Sequence, residues 1–541
     1  MRMFAKECAL FLCAAAAALA QPVVSANGMV NAASYIQAGL PNGDVAQGSI
    51  FMIWGGNMGP ATPAFASWPL PTTQGLGGAT AQVEDSEGVS HPLILIYVST
   101  GQIDALLPSA VAVGQASLTV TYNGQTSAPQ TFNVVQRSVG LFTRNSAGSG
   151  PGIVQQYHNG VPTLNDISNS AIPGDTAVLW GTGLGPITTD ETQQPVAPIP
   201  LAAGAEVWVG DQQVPPANVT FQGRSTYAGE DQINFVVPNI TGCYVPVFVK
   251  IGNIVSNTVS MSIGASGGMC SDQLSPYSGL SSAYLQAHGL RQGSVTLGQS
   301  TTQFPNQEPM IGYPAVGAFD SYDWTQLAES RGIGVSAYGA CTVFTYSGAI
   351  VSTADPVAPT YLDAGALSVV GPGGGGPISI PAQGYGVYST ALPSLRQGTY
   401  TLTASGGADV GAFTSSLTIP AALTWTNMGG LSLVTRANGV TVNWTGGTGT
   451  VMIEGYSPIT TPQNAGAVFI CYAQASAGSF TVPPGVLLAL PASAESQYLP
   501  TGRLMVSNTP ASANFNPNPP SGLDTGSFSA SFTFIAALTY N

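Results

Sequence analysis

Short runs of Val, Ile, Leu and aromatic residues recur along this chain, separated by Gly, Pro, Asn and Ser, which is the pattern of β-strands joined by many turns. One run occurs twice. Residues 48–60 read G-S-I-F-M-I-W-G-G-N-M-G-P and residues 174–186 read G-D-T-A-V-L-W-G-T-G-L-G-P, aligned without a gap at a spacing of 126. Gly48/Gly174, Trp54/Trp180, Gly55/Gly181, Gly59/Gly185 and Pro60/Pro186 are identical. Each copy predicts a buried strand entered from a glycine turn and closed by a glycine-rich turn. Trp54 and Trp180 hold equivalent strand positions, and both are expected to pack in the core.

Further segments match in the same order. The strand pattern at 79–83 returns at 206–209, and Q-I-D-A-L-L-P at 102–108 returns as Q-I-N-F-V-V-P at 232–238. A closing hairpin at 117–135, turning at Asn123-Gly124, returns at 245–263 with its turn at Gly252-Asn253. Several segments repeating in order indicate a duplicated β-domain. Between the copies, residues 141–169 are polar with scattered apolar positions and predict short strands of the second copy.

The G-x-x-x-x-x-W-G-x-x-x-G-P stretch, the Gln-Ile-(Asp/Asn) to Pro stretch and the closing hairpin together resemble the IPT/TIG branch of immunoglobulin-like domains. More narrowly, residues 28–272 resemble the duplicated module found at the C-terminus of many secreted proteins of soil acidobacteria. The resemblance implies β-sandwiches and export, but no known activity. One departure is position, because here the module comes first and a long extension follows it.

From about residue 275 the chain opens with a polar stretch in which 280–288 predicts a short helix, and a β pattern resumes at Cys341. Residues 398–404 alternate polar and apolar positions as a half-buried strand does, and similar segments continue to 528–538. The expected organisation is a signal peptide at 1–26, an Ig-like domain at 27–140, a second at 141–275, a β-rich domain at 276–420 and a C-terminal β-rich domain at 421–541, the last two being one domain or two. The fold class is all-β: tandem immunoglobulin-like β-sandwiches followed by a further β-sandwich region.

Composition narrows the setting. Charged residues make up 7% of the 541 residues, the formal net charge is −14, and Lys250 is the only lysine after Lys6. So few cations cannot build a basic groove for nucleic acid or a patch for anionic lipid. Arg2 and Lys6 precede an apolar run ending in the small-residue patterns Ala18-Leu19-Ala20 and Val24-Ser25-Ala26, the signature of a secretory signal peptide. No later apolar stretch is long enough to span a membrane, so the expected location is secreted or at the cell surface. Cys243, Cys270, Cys341 and Cys471 form an even set that admits three connectivities. Pairing within each half, Cys243–Cys270 and Cys341–Cys471, is the expected one.

Candidate chemistry is sparse. His91, His158 and His288 stand outside metal spacings such as HExxH. The dense acidic spots, Glu84-Asp85 with Glu87, Asp190-Glu191 and Glu230-Asp231, fall in predicted turns, where solvation and turn formation account for them. Calcium is the one cofactor these oxygen ligands would suit, although no D-x-D-x-D-G loop is present; otherwise no cofactor or metal is expected. Trp68, Trp324, Trp425 and Trp444 are the candidates for stacking on a sugar ring. The leading reading is a secreted, non-catalytic protein for adhesion or structure, whose partner is an extracellular protein or glycan. The alternatives are a carbohydrate-binding accessory protein and a hydrolase within 275–541 built on His288.

Overall fold

The computed structural model describes residues 21–270, 280–304, 307–329, 338–347, 359–459, 465–493, 500–515 and 522–541. It is all-β: two tandem immunoglobulin-like sandwiches followed by a larger β-sandwich region. Residues 1–20 of the expected signal peptide lie outside the described residues.

In the first repeat a sheet containing Val23–Asn31, Ile50–Gly56, Gln102–Leu106 and Ile94–Val98 packs on a second sheet built from Ala79–Glu84, Gly114–Tyr122 and Gln130–Val135. The core lies between them and includes Phe51, Ile53, Val83, Ile103, Leu118 and Val134. The second repeat repeats the arrangement, with Thr176–Thr182 and Asp231–Val236 facing Glu206–Val209, Gly242–Ile251 and Val259–Ile263. The shared Gly-x₅-Trp-Gly string has a steric cause. Gly48 and Gly174 enter their strands at φ 68° and 95°, a left-handed conformation that favours glycine. Gly55 and Gly181 let a neighbouring strand pass: a β-carbon there would sit 2.0 Å from the Val23 carbonyl oxygen and 2.2 Å from that of Gly140.

The first domain begins earlier than expected. Val23 and Val24 pair with Gly56 and Gly55, and Val24 is buried in the first core. The boundary at 26/27 therefore cuts into a strand of the sheet.

Beyond the repeats, one continuous sheet, of twelve strands among the described residues, carries two cores. Its central strand, Thr525–Tyr540, runs parallel to Leu290–Gln303 and antiparallel to Gly502–Asn514. Phe528, Ala530 and Phe532 of this strand enter one core, and Ala536, Leu538 and Tyr540 enter the other. All six have the same parity, so both cores lie on one face of the sheet. A four-stranded sheet around Gly398–Ala404 closes the first core and a three-stranded sheet around Val440–Thr445 closes the second. Position 420 thus separates stretches of chain that share a sheet. Cys341 and Cys471 face each other on adjacent strands and are disulfide-bonded, joining the stretches on either side of that position. The Cys243–Cys270 disulfide sits in a small cluster with Tyr244, Leu285, Leu290 and Leu327, where the second repeat meets the C-terminal region. The predicted short helix is Ser282–His288, capped by the Ser281 side chain, which accepts a hydrogen bond from the Tyr284 amide.

The repeats are locked together by buried polar contacts. Arg224 Nε donates to Asp231 Oδ1 at 2.7 Å, with both side chains almost fully buried. Arg224 Nη2 reaches the Gly185 carbonyl at 3.1 Å, and the Leu184 amide donates to Asp231 Oδ2 at 2.7 Å. These bonds hold the loops at 183–187 and 225–230 against the first repeat. There Glu191 accepts from the Ser109 amide and hydroxyl at 2.8 and 2.7 Å, and the Ile50 amide donates to Thr182 Oγ1 at 2.9 Å. Removing one member of a buried ion pair leaves the other charge uncompensated. Arg224→Leu is expected to destabilise the protein by about 3–5 kcal/mol in denaturant titration. The double change Arg224→Met with Asp231→Leu should recover most of that loss.

Candidate ligand-binding face

The two repeated strands present equivalent outer faces. Opposite the core-facing residues stand Ile50, Met52 and Trp54 in the first repeat and Thr176, Val178 and Trp180 in the second. Cross-strand pairing adds Leu106, Asp104 and Gln102 to the first set and Val236, Asn234 and Gln232 to the second. Trp54 and Trp180 are both half-buried on these outer faces, not in the core as the sequence suggested. The core positions belong to their neighbours Ile53 and Leu179, and alternation turns the tryptophans outward.

The two faces meet different fates. In the first repeat, a β-carbon on Gly229 of the second repeat would come within 2.6 Å of Ile50 and Leu106, so this part of the face is covered. Ala228 packs there as well, against a satellite cluster of Leu70, Ile94, Leu106 and Trp68. Asp104 is enclosed nearby; burial pushes its carboxyl up to about 6 against the pull of the Gln102 hydrogen bond at 2.7 Å. In the second repeat the face is an open groove of about 450 Å³, lined by Gln155, Tyr157, Gly160, Thr176, Val178, Trp180, Gln232 and Asn234. The residues change to match. Thr176 and Val236 stand where the covered face has Ile50 and Leu106, and Asn234 replaces Asp104.

Tyr157 and Gln155 reach the groove from the neighbouring strand, Val154–His158, opposite Thr176 and Val178. The His158–Val161 hairpin turns at Asn159-Gly160, both at positive φ, and brings Gly160 to the rim. Within the groove the Tyr157 hydroxyl donates to Gln155 Oε1 at 3.1 Å, and Gln232 Nε2 donates to Asn234 Oδ1 at 3.3 Å. Each amide carries two N–H donors and a carbonyl acceptor, so these contacts leave donors and acceptors for a ligand. Two aromatic rings, three amides and a threonine hydroxyl, with no carboxylate or cation, line the groove.

Of the four tryptophans proposed for sugar stacking, two lie in a core. Trp425 and Trp444 are 5% and 3% exposed and pair directly across two strands of the second C-terminal core. Their indole nitrogens donate to Asn427 Oδ1 and to the Ala475 carbonyl at 2.9 and 2.7 Å. The cause is legible: Val440, Val442 and Trp444 share one parity, and the valines fill the core. Trp68 packs in the cluster between the repeats and Trp324 against the cluster around Cys243–Cys270, both half-buried. The residues that do line the groove, Trp180 and Tyr157, carried a signal in the parity of Ala177 and Leu179, masked by the unbroken apolar run A-V-L-W.

The dense acidic spots hold the backbone. Asp85 accepts from the amides of Glu87, Val89 and Ala112, and from His91 Nε2 at 2.8 Å. Burial acts to raise its carboxyl, but these donors together hold it well below the usual range. Among the described residues no group of three His, Cys, Asp or Glu side chains converges as a metal site would. His158 contacts Asp175 at 3.0 Å, and His288 is exposed, stacked on Tyr284 at 4.6 Å between ring centroids. Residues 264–268 read G-A-S-G-G, the spacing of a serine nucleophile elbow, but Ser266 lies in an exposed loop after Val259–Ile263, and no helix follows it directly. Among the described residues no helix is long and apolar enough to cross a membrane.

No protein-family model matches the chain, and no curated protein does. Among solved structures, a tetra-tandem repeat from the extending region of a large adhesion protein aligns with 92% of this chain and 97% of its own, at 12% identity and a TM-score of 0.13. Domains 5-6 of the S-layer protein SbsC align with 45% of this chain and 98% of their own, at 13% identity and a TM-score of 0.16. SGBP-B from a complex xyloglucan utilization locus in Bacteroides uniformis aligns over 69% and 86%, at 10% identity and a TM-score of 0.16. At these TM-scores the likeness carries no argument, and the fold rests on the sheets described above.

Two expectations follow. Leu179→Ala should cost about 2–5 kcal/mol of stability, whereas Trp180→Ala, one residue on, should leave the core intact and cost clearly less in the same denaturant titration. Asp104, raised in the folded state, contributes stability that is full below about pH 4 and is lost as pH rises through about 6. Asp104→Asn, the residue present in the second repeat, should therefore stabilise the protein by about 1–2 kcal/mol at pH 7.5 and change little at pH 4, as thermal melts at the two pH values would report.

Proposed function

We propose that this is an exported, non-catalytic protein that binds a neutral polysaccharide on the open face of its second repeat. The observation that carries this reading is the Trp180–Tyr157 groove: an uncharged open face of aromatic rings and amides, on the same sheet position that the first repeat uses for internal packing. Aromatic rings stack on the C–H faces of pyranose rings, and amides exchange hydrogen bonds with sugar hydroxyls. The lack of charge in the groove favours a neutral chain over a uronic-acid polymer. Extended β-linked glucans, whose hydroxyls lie equatorially and leave both ring faces apolar, suit rings standing on an open sheet. Of the readings drawn from the sequence, this groove supports the carbohydrate-binding one over a purely structural role. Export rests on the basic-then-apolar N-terminus and accords with the two disulfides.

Affinity electrophoresis of the mature chain in hydroxyethylcellulose, glucomannan, xylan, starch and polygalacturonate tests the reading. Retardation is expected in the β-linked neutral polymers and not in polygalacturonate, without release of reducing sugar, and Trp180→Ala should weaken it about tenfold or more. Unchanged retardation of the Trp180→Ala variant, or retardation only in polygalacturonate, contradicts the assignment.

A further inference from the structure

A second aromatic site stands on the C-terminal sheet. Tyr385 and Tyr361 are 79% and 47% exposed, and their rings meet edge to face at 5.6 Å between centroids. The sequence places them 24 residues apart, and two different elements bring them together. Tyr361 lies on the short strand Thr360–Tyr361, and Tyr385 on the turn between Ala382–Gly384 and Val387–Ala391. Both elements flank the same end of Pro314–Tyr322: the Leu362 amide donates to the Phe319 carbonyl, and the Phe319 amide donates to the Gly386 carbonyl, each at 3.0 Å.

The turn holds Tyr385 at φ 52°, a left-handed conformation unfavourable to a side chain of this size. A ring so exposed recovers little of that cost by burial in the free protein. What the conformation achieves is to set one ring against the other at the surface.

Beside the pair is a polar group short of a partner. Asp320 faces Tyr361 directly across the ladder and Gln292 across the next one, so all three side chains share a face. Asp320 Oδ1 is buried with no hydrogen-bond partner, and burial raises the carboxyl despite the Gln292 side chain beside it. A buried acceptor without a donor is costly, and a ligand hydroxyl removes that cost.

We infer that Tyr361, Tyr385, Asp320 and Gln292 form a second subsite for a neutral pyranose unit, separate from the Trp180 groove. The rings take the C–H face of the sugar, rotation of the half-buried Asp320 side chain brings Oδ1 out to accept a hydroxyl, and the Gln292 amide supplies a further donor. The site extends the polysaccharide reading given above and rests on it for the choice of ligand class. Two weak sites on one chain would strengthen retention on a long polymer through effective concentration, with no new contact at either.

Isothermal titration of the full mature chain with cellohexaose tests this, together with retardation in hydroxyethylcellulose. Two sites per wild-type chain are expected, one in Tyr385→Ala, one in Trp180→Ala and none in the double variant, each single change weakening polymer retention about tenfold or more. Tyr385→Phe keeps the ring and should keep both sites. Unaltered far-UV circular dichroism and melting temperature identify variants that fold. Two sites remaining in a folded Tyr385→Ala overturn the second subsite and leave the Trp180 reading standing. Two sites remaining in Trp180→Ala, with one lost in Tyr385→Ala, would sink the groove and keep the tyrosine pair. A wild-type chain that binds neither probe overturns both. A wild-type dimer that Tyr385→Ala converts to monomer, with cellohexaose stoichiometry unchanged, assigns the rings to self-association instead.

Discussion

The buried pair of Arg224 and Asp231 organises the first half of this molecule. Two charges withdrawn from water are tolerated only where geometry and further hydrogen bonds compensate them, and here the Gly185 carbonyl and the Leu184 amide meet part of that need while Arg224 Nη1 stays buried without a partner. The loops held in this way are those that lie on the outer face of the first repeat, where Gly229 approaches Ile50 and Leu106. The pair thus lies beside the contact that distinguishes the two repeats. The first repeat buries part of its outer face against its neighbour, and the second leaves the same face open.

A sheet with one open face normally turns polar residues to water, and most of the second repeat follows this rule. Trp180 and Tyr157 depart from it. Neither is needed to fill the core, which Leu179, Ile233 and Phe235 already close with the opposite sheet. Rings retained on an open, uncharged face, with amides around them, are what a hydroxyl-rich ligand requires. Tyr361 and Tyr385 are likewise exposed rings, on the C-terminal sheet, with Asp320 and Gln292 aligned across the ladder from Tyr361.

Much of the fold was legible in the residues. The paired strings at 48–60 and 174–186 marked the duplication because their glycines answer steric demands that recur in both copies. The Asn123-Gly124 turn and the Ser282–His288 helix follow from local chemistry, and the two disulfides match the pairing within each half, one of three connectivities the four cysteines admit. The shared sheet of the C-terminal region was not legible, because the parallel pairing of Leu290–Gln303 with Thr525–Tyr540 joins strands more than two hundred residues apart. Local pattern carries no record of such a contact. The site was misread for a different reason. The continuous run A-V-L-W hides which residue faces the core, so the sequence alone puts Trp180 inside, whereas Trp444 shares the parity of the core valines Val440 and Val442, and Trp425 pairs with Trp444 across the ladder.

The central claim is that Trp180 faces a site for a polysaccharide while chemically similar residues serve the core. Hydroxyl-radical footprinting read by mass spectrometry, with and without hydroxyethylcellulose, measures this residue by residue. The account predicts that Trp180 and Tyr157 are oxidised in the free protein and protected by the polymer, and that Trp425 and Trp444 resist oxidation in both. Oxidation of Trp180 that is as slow as that of Trp444, or that the polymer leaves unchanged while the protein is bound to it, would contradict it.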